Sequence, residues 1–230
     1  MVRLLIELAL VLVAWFGVLV IMLLVVGWVR LLCAKSYQYE QPLRDIAYLK
    51  KGDIILTGRQ SILDSWFIQL ANVLTRKLKH RFWTHAAIYQ GNGRLWEAQP
   101  APRGIIERDL EDYIKGGFYI RAFRHRYIKD ETMIDQVIQW CAAQKGDGYD
   151  LRGTIFYGLS VLTPVGFNFI FDNAAIAKLC HVENNYFCSE LIVEAFEQTG
   201  YPISPFDGWR VKPTDFISNP LLEEVAVPGN

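Results

Sequence analysis

Residues 186–191, with the sequence Tyr-Phe-Cys-Ser-Glu-Leu, decide how this chain folds, because they place Cys188 where a loop turns into an amphipathic helix. Apolar side chains follow Cys188 at the three- and four-residue spacing that forms one helical face, and these are Leu191, Ile192, Ala195 and Phe196. The pattern predicts a helix that begins at Cys188 and ends before Gly200.

Cys188 is expected to face the core from the first turn of this helix. The unpaired N–H groups and the positive end of the helix dipole at that position favour the thiolate, which is the form that attacks a carbonyl carbon. A cysteine on an apolar helix face is also commonly a small core residue. A catalytic role therefore requires a partner histidine that takes and returns a proton.

Four histidines are candidates for this base, and they are His80, His85, His125 and His181. A strong hairpin signal at residues 91–93, Gly-Asn-Gly, joins two strands predicted at residues 84–90 and 94–99. His85 lies on the first of these strands and Glu97 on the second. His85 is thus the histidine with a ready third group, since a carboxylate behind the ring orients it and supports its charge.

The remaining patterns predict a small domain of mixed elements. Strands are predicted at residues 52–58, 104–108 and 118–123, and helices at residues 61–74 and 110–114. A longer helix is predicted from a capping box at Thr132 and Asp135 up to Gly146, with Cys141 in its core stripe. The chain from residue 209 onward is predicted to be an irregular tail with proline breaks.

The amino-terminal segment is strongly apolar. Leu4 to Val29 is a run of 26 residues interrupted only by Glu7, and at ~1.5 Å per residue it would span a bilayer with tilt. We predict a transmembrane anchor in residues 1–35, a juxtamembrane connector in residues 36–50 and one domain in residues 51–230. Basic residues cluster after the span, which favours a cytoplasmic domain by the positive-inside rule.

The charge balance argues against a nucleic-acid partner, and the cysteine spacing argues against a metal site. Lysine and arginine together number 24, as do aspartate and glutamate, so the chain lacks the basic character of a nucleic-acid-binding protein. The four cysteines, Cys33, Cys141, Cys180 and Cys188, show neither zinc-site spacing nor a disulfide framework. We expect no nucleic-acid partner and no metal site.

An ordered set of motifs resembles the permuted papain-like amidases of the YiiX and YaeF type, in the NlpC-like superfamily that also includes lecithin:retinol acyltransferase. The matching segments are Gly52-Asp53-Ile54-Ile55-Leu56, Thr84-His85-Ala86-Ala87-Ile88-Tyr89, Trp96-Glu97-Ala98, Gly148-Tyr149-Asp150, Phe187-Cys188-Ser189-Glu190-Leu191 and Pro213-Thr214-Asp215-Phe216. They run in the permuted order, with the histidine strand before the cysteine helix, and cover about residues 45–222.

This resemblance implies an α+β fold, a circularly permuted papain-like or NlpC-like domain in which a small antiparallel sheet or half-barrel packs on the nucleophile helix. It implies Cys188 as nucleophile, His85 as general base and Glu97 as the group that orients the imidazole. It also implies that Tyr149 helps to bind the oxyanion, beside the backbone N–H of Cys188. No metal or organic cofactor is needed for this chemistry.

The sequence thus predicts a membrane-anchored cysteine hydrolase of the amidase, peptidase or esterase kind, which forms a thioester at Cys188. Its partners would be the lipid bilayer and an amide- or ester-containing substrate, either lipid-linked or, if the domain faces outside, a cell-wall peptide. A membrane-tethered binding module without turnover is the non-enzymatic alternative. The apolar stretch at residues 155–171 is either a buried helix pair or a membrane-dipping or acyl-binding element.

Overall fold

The computed structural model describes residues 46–59, 82–100, 102–151 and 185–225, together with positions 15–18, 21, 22, 25, 69 and 80. The strands are β1 (Ile54–Gly58), β2 (Trp83–Gly91), β3 (Arg94–Gln99), β4 (Gly104–Asp109), β5 (Tyr119–His125), β6 (Gly148–Tyr149), β7 (Asn185–Tyr186) and β8 (Leu222–Glu224). The α-helices within these ranges are α1 (Leu110–Lys115), α2 (Glu131–Ala143) and α3 (Cys188–Gln198). Short 3₁₀ turns lie at Ile46–Tyr48, Gly208–Arg210 and Pro213–Ser218.

The described strands form one six-stranded antiparallel sheet in the order β4-β3-β2-β1-β5-β8, and a separate parallel pair of β6 and β7. The chain therefore has a mixed α+β fold built on an antiparallel sheet. Every residue of the central strand β1 is buried, because both faces of the sheet are covered.

Side-chain alternation along the strands divides the core between the two faces. On one face, Ile54, Leu56, Ala86 and Ile88 pack with Val137 and Cys141 of α2 and with Leu191, Ile192, Ala195 and Phe196 of α3. On the other face, Ile55, Ala87, Tyr89 and Leu95 pack with Leu110 and Tyr113 of α1. The sheet thus lies between α3 on one face and α1, the short helix that follows β4, on the other.

Helix α3 begins at Cys188 and ends at Gln198, and Gly200 follows it with a φ of 86°. Its predicted apolar stripe is buried, which confirms the periodicity. The predicted start of α2 was wrong: the cap is Asp130, whose carboxylate accepts from the backbone N–H of Thr132 at 2.8 Å. Asp135 instead pairs with Lys51 on the surface at 2.7 Å.

The carboxyl-terminal tail contains a strand that the sequence patterns did not indicate. β8 pairs with the edge strand β5, with Leu222 opposite His125, and the Arg121 guanidinium binds the Glu224 carboxylate. Three residues are too few for an alternating pattern to emerge. The strand exists because a partner edge is present, which only the fold supplies.

The end of the predicted connector packs against the sheet. Leu49 is buried in the cluster on the α1 face, and the Tyr48 carbonyl accepts from the Arg124 guanidinium at 3.0 Å. Most of the predicted span, the helix predicted at residues 61–74 and the apolar stretch at 155–171 lie outside the described residues. In the part of the chain that is described, no helix is both long and apolar enough to cross a membrane.

Candidate active site

Cys188 is the first residue of α3, and the structure holds that helix start from two sides. The Glu190 side chain accepts a hydrogen bond from the Phe187 backbone N–H at 3.2 Å, and the Ser189 hydroxyl donates to the Val211 carbonyl at 2.5 Å. Cys188 itself is 2% exposed. The sulfur is therefore fixed at the helix amino terminus, where N–H groups without an intrahelical partner lie beside it.

Glu190 follows Cys188 by only two residues, but it does not place a full negative charge beside the sulfur. Burial, together with the nearby Asp150, Glu194 and Cys188, raises the pKa of Glu190 to about 8, against the lowering effect of the hydrogen bond from the Phe187 backbone. Glu190 is therefore mainly protonated at neutral pH. A thiolate at Cys188 meets less like-charge repulsion as a result.

His85 lies on β2 opposite Thr57 of β1. Its ring lies between Cys188 and Glu97, the two other residues predicted to act with it. Its Nε2 is 2.8 Å from Oε2 of Glu97. The Cys188 thiol is close enough to the same ring to raise its pKa. The structure therefore brings Cys188, His85 and Glu97 together.

Strand register explains how Glu97 reaches the imidazole. β2 and β3 pair with Ile88 opposite Trp96 and Tyr89 opposite Leu95, so Glu97 shares a sheet face with His85 and lies diagonally from it. Diagonal neighbours are within reach of long side chains. A shift of the register by one residue would turn Glu97 to the other face.

The Glu97 carboxylate is fully buried and each of its oxygens has further partners. Tyr113 donates its hydroxyl to Oε2 at 2.5 Å, Gln99 donates its amide to Oε1 at 2.9 Å, and Arg108 places Nη1 3.7 Å from Oε1. Buried carboxylates are stable only when paired and hydrogen-bonded in this way.

The charges of the pair stabilise each other. Burial alone would lower the pKa of His85, but the negative Glu97 and the hydrogen bonds with Cys188 and Glu97 outweigh it and raise the pKa from 6.5 to about 10. Burial alone would raise the pKa of Glu97, but the positive His85 and the hydrogen bonds from His85, Tyr113 and Gln99 lower it below 4.5. At neutral pH the site therefore holds an imidazolium and a carboxylate.

These shifts predict a pH dependence of folding stability. The contribution of Glu97 is present above pH 4.5 and is lost as pH falls below it, because the folded pKa is depressed. The contribution of His85 is complete below pH 6.5 and is lost as pH rises through about 10, because the folded pKa is raised. Denaturant unfolding should therefore show that the difference in free energy of unfolding between the wild type and Glu97→Gln becomes smaller at acid pH and again at alkaline pH. A difference independent of pH would contradict the ion pair.

Tyr149 lies on β6, opposite Tyr186 of β7, which is the segment that leads into α3. Asp150 donates its backbone N–H to the Tyr186 carbonyl at 3.2 Å. Gly148 permits this approach, since a Cβ there would stand 1.6 Å from the Asn185 side-chain oxygen. The Tyr149 backbone therefore lies next to the segment that leads into α3, and the role of Tyr149 at an oxyanion stays a prediction.

Sequence reasoning did not find Tyr113, Gln99 or Arg108. Gln99 follows Glu97 by two residues on one strand, so strand alternation alone could have placed it on the same face. Tyr113 gave no such signal, because it reaches Glu97 only through the packing of α1 over the sheet. In the described ranges, no group of three or more histidine, cysteine, aspartate or glutamate side chains has a metal-binding arrangement.

No known family model matches the chain, and no curated protein matches it in sequence. Among solved structures, the chain is similar to the crystal structure of the metalloprotein YiiX from Escherichia coli O157:H7, which belongs to DUF1105. The two share 16% sequence identity with a TM-score of 0.49, over 77% of this chain and 96% of that chain. This is a distant likeness of fold alone.

Proposed function

We propose that the chain is a membrane-anchored cysteine hydrolase that cleaves an amide or ester bond through a thioester at Cys188. One observation supports this above the others: Cys188, at a helix amino terminus, reaches His85, and His85 is hydrogen-bonded at 2.8 Å to the buried Glu97. Nucleophile, proton carrier and orienting carboxylate are the three parts that thiol catalysis requires.

In the first half of the reaction, the Cys188 sulfur attacks the substrate carbonyl carbon and forms a tetrahedral oxyanion. The N–H groups at the start of α3 are the donors that stabilise it, and Tyr149 is proposed as a further one. The His85 imidazolium gives its proton to the leaving amine or alcohol as the C–N or C–O bond breaks. A thioester at Cys188 and a neutral imidazole remain.

In the second half, His85 takes a proton from water as the water oxygen attacks the thioester carbonyl. The C–S bond breaks, the carboxylic acid product leaves, and Cys188 and His85 return to their starting charges. Glu97 keeps the imidazole oriented in both halves and stabilises its positive form. Because its pKa is raised, His85 carries the proton that the first half requires at neutral pH.

The membrane anchor is proposed from the apolar run of residues 4–29. The described positions inside this run are helical, and Trp15 and Phe16 are 70% and 60% exposed. Large apolar side chains without a protein cover suit a lipid environment. An anchored domain would favour a lipid-linked amide or ester at the bilayer surface, on the cytoplasmic side if the basic residues after the span set the orientation.

The proposed function is tested with p-nitrophenyl acetate, an activated ester, and the full-length protein in detergent. Hydrolysis should continue beyond a single burst, and acid quenching should trap an acetyl group on the peptide that contains Cys188. Cys188→Ala should lose both turnover and the acetyl label. Cys141→Ala is the matched control: burial raises the pKa of the Cys141 thiol to about 12, so its removal should change neither. Turnover that persists in Cys188→Ala would contradict the proposal.

A further inference from the structure

Tyr113 contacts two members of the proposed catalytic chain although it belongs to neither of the strands that carry them. It is buried on α1, its ring stacks on the His85 ring at 6.0 Å between centroids, and its hydroxyl is 2.5 Å from Oε2 of Glu97. Oε2 is also the oxygen that meets Nε2 of His85 at 2.8 Å. One carboxylate oxygen thus receives both hydrogen bonds.

The direction of the Tyr113 hydrogen bond follows from its neighbours. The Gln99 amide nitrogen lies 3.1 Å from the Tyr113 hydroxyl oxygen and 2.9 Å from Oε1 of Glu97. An amide nitrogen only donates, and an ionised carboxylate only accepts. The Tyr113 hydroxyl therefore accepts from Gln99 and directs its own proton to Glu97.

Packing fixes the ring that carries this hydroxyl. The Arg108 guanidinium lies 4.5 Å from the centre of the Tyr113 ring, and the Phe118 ring meets it edge-on at 5.2 Å. Burial and the charge of Glu97 both raise the pKa of Tyr113 well above its usual value. The hydroxyl consequently stays protonated and remains a hydrogen-bond donor throughout the pH range in which the protein is folded.

We propose that Tyr113 is a positioning residue of the active site, whose hydroxyl holds the Glu97 carboxylate ionised and aimed at His85, so that the proton of this network stays on the imidazole. A donor on the shared oxygen withdraws charge from it, which makes transfer of the proton from His85 to Glu97 less favourable. The two hydrogen bonds on Glu97 from Tyr113 and Gln99 also restrict its rotamer. The catalytic meaning of this role rests on the proposed function.

The charged and titratable groups that face Glu97 or its direct partners come from four elements, and they are His85 of β2, Arg108 of β4, Tyr113 and Asp112 of α1, and Cys188 of α3. Asp112 is engaged by Arg108, with 3.3 Å from Nε to Oδ2. The hydrogen bond from Tyr113 is one of the contacts that lower the pKa of Glu97. Its removal should therefore raise that pKa.

The test is Tyr113→Phe, which keeps the ring and removes the hydroxyl. In full-length protein labelled with ¹⁵N-histidine, the His85 ring signals should report the protonation of Glu97 as an inflection at acid pH. That inflection should move upward by about one to two pH units, the size expected for the loss of one hydrogen bond to a charged group. With p-nitrophenyl acetate, kcat should fall about 10-fold while KM stays unchanged.

Tyr89→Phe is the matched control. Tyr89 is a buried tyrosine on the same sheet face, and its hydroxyl accepts from the Gly93 backbone N–H at 2.9 Å. Loss of the Tyr89 hydroxyl should lower the free energy of unfolding, but it should change neither the pH of the His85 inflection nor kcat. An inflection in Tyr113→Phe at the wild-type pH, or an equal displacement in Tyr89→Phe, would overturn the proposal.

The titration also separates this proposal from the proposed function. If p-nitrophenyl acetate is not turned over, the hydrolase assignment fails, while the His85 inflection still decides whether Tyr113 acts on Glu97. If Tyr113→Phe does not fold, the wild-type protein decides: the hydrogen bond to the charged Glu97 should give a downfield hydroxyl proton that moves upfield in Glu97→Gln, where the acceptor is neutral. Its absence from the wild-type spectrum would overturn the role of Tyr113.

Discussion

Glu97→Gln should hydrolyse p-nitrophenyl acetate roughly 10²- to 10⁴-fold more slowly than the wild-type protein, which is the range for one positioned group in proton-transfer catalysis. The amide keeps the size of the side chain and one acceptor oxygen for His85 and Tyr113. It removes the negative charge that raises the pKa of His85, so the imidazolium loses its main support. Turnover is to be measured per folded protein, with circular dichroism to check the fold.

The double substitution distinguishes a catalytic unit from two separate contributions. His85→Ala should cost at least as much as Glu97→Gln, and the double variant little more than His85→Ala alone, because residues that act as one unit are non-additive. Glu107→Gln is the matched control, since Glu107 lies opposite Trp96 on the next strand and binds Arg94; it should keep wild-type turnover. If the two losses simply multiply, Glu97 does not act through His85.

Asp53→Asn should lower the free energy of unfolding by about 3 kcal/mol, the low end of the range for breaking a buried ion pair, because the Arg124 side chain is still 27% exposed. Asp53 is fully buried at the start of β1. Its two oxygens lie 2.7 Å from Nε and Nη2 of Arg124, and the Lys50 backbone N–H donates to it at 2.8 Å. A neutral amide cannot accept both guanidinium contacts, and Arg124 would lose the carboxylate that hydrogen-bonds to it.

Equilibrium unfolding in denaturant measures this loss, and Asp135→Asn provides the same chemical change in an exposed setting. Asp135 binds Lys51 at 2.7 Å, but both side chains are about half exposed, so its replacement should cost only about 0–1 kcal/mol. Equal losses in the two variants would show that burial does not determine the strength of the Asp53 contact.

Local periodicity predicted much of the fold. The apolar stripe after Cys188 recurs within one helix, and the glycine-rich turn at residues 91–93 lies between two alternating strands. Structure and prediction agree for α3 and for the hairpin of β2 and β3. Each of these signals arises from neighbours in sequence, so it can be read without knowledge of the fold.

Contacts between distant segments had no such local signal. The cap of α2 was misplaced because Asp130 and Thr132 are both polar residues near one helix start, and only the backbone geometry selects Asp130. β8 was missed because its pairing with β5 depends on an edge that is formed elsewhere in the chain. In both cases tertiary geometry chose between options that the sequence leaves open.

By itself, the sequence determined which residue types stand at the ends of which elements: a cysteine at a helix start, a histidine at a strand start and a glutamate on the neighbouring strand. Only the tertiary structure decided that they meet. The register of β2 and β3 sets the face on which Glu97 lies, the packing of α3 brings Cys188 to His85, and the packing of α1 adds Tyr113 to the same carboxylate. The physical reason is that local patterns arise from short-range sterics and solvation, whereas register and packing depend on burial summed over the whole domain.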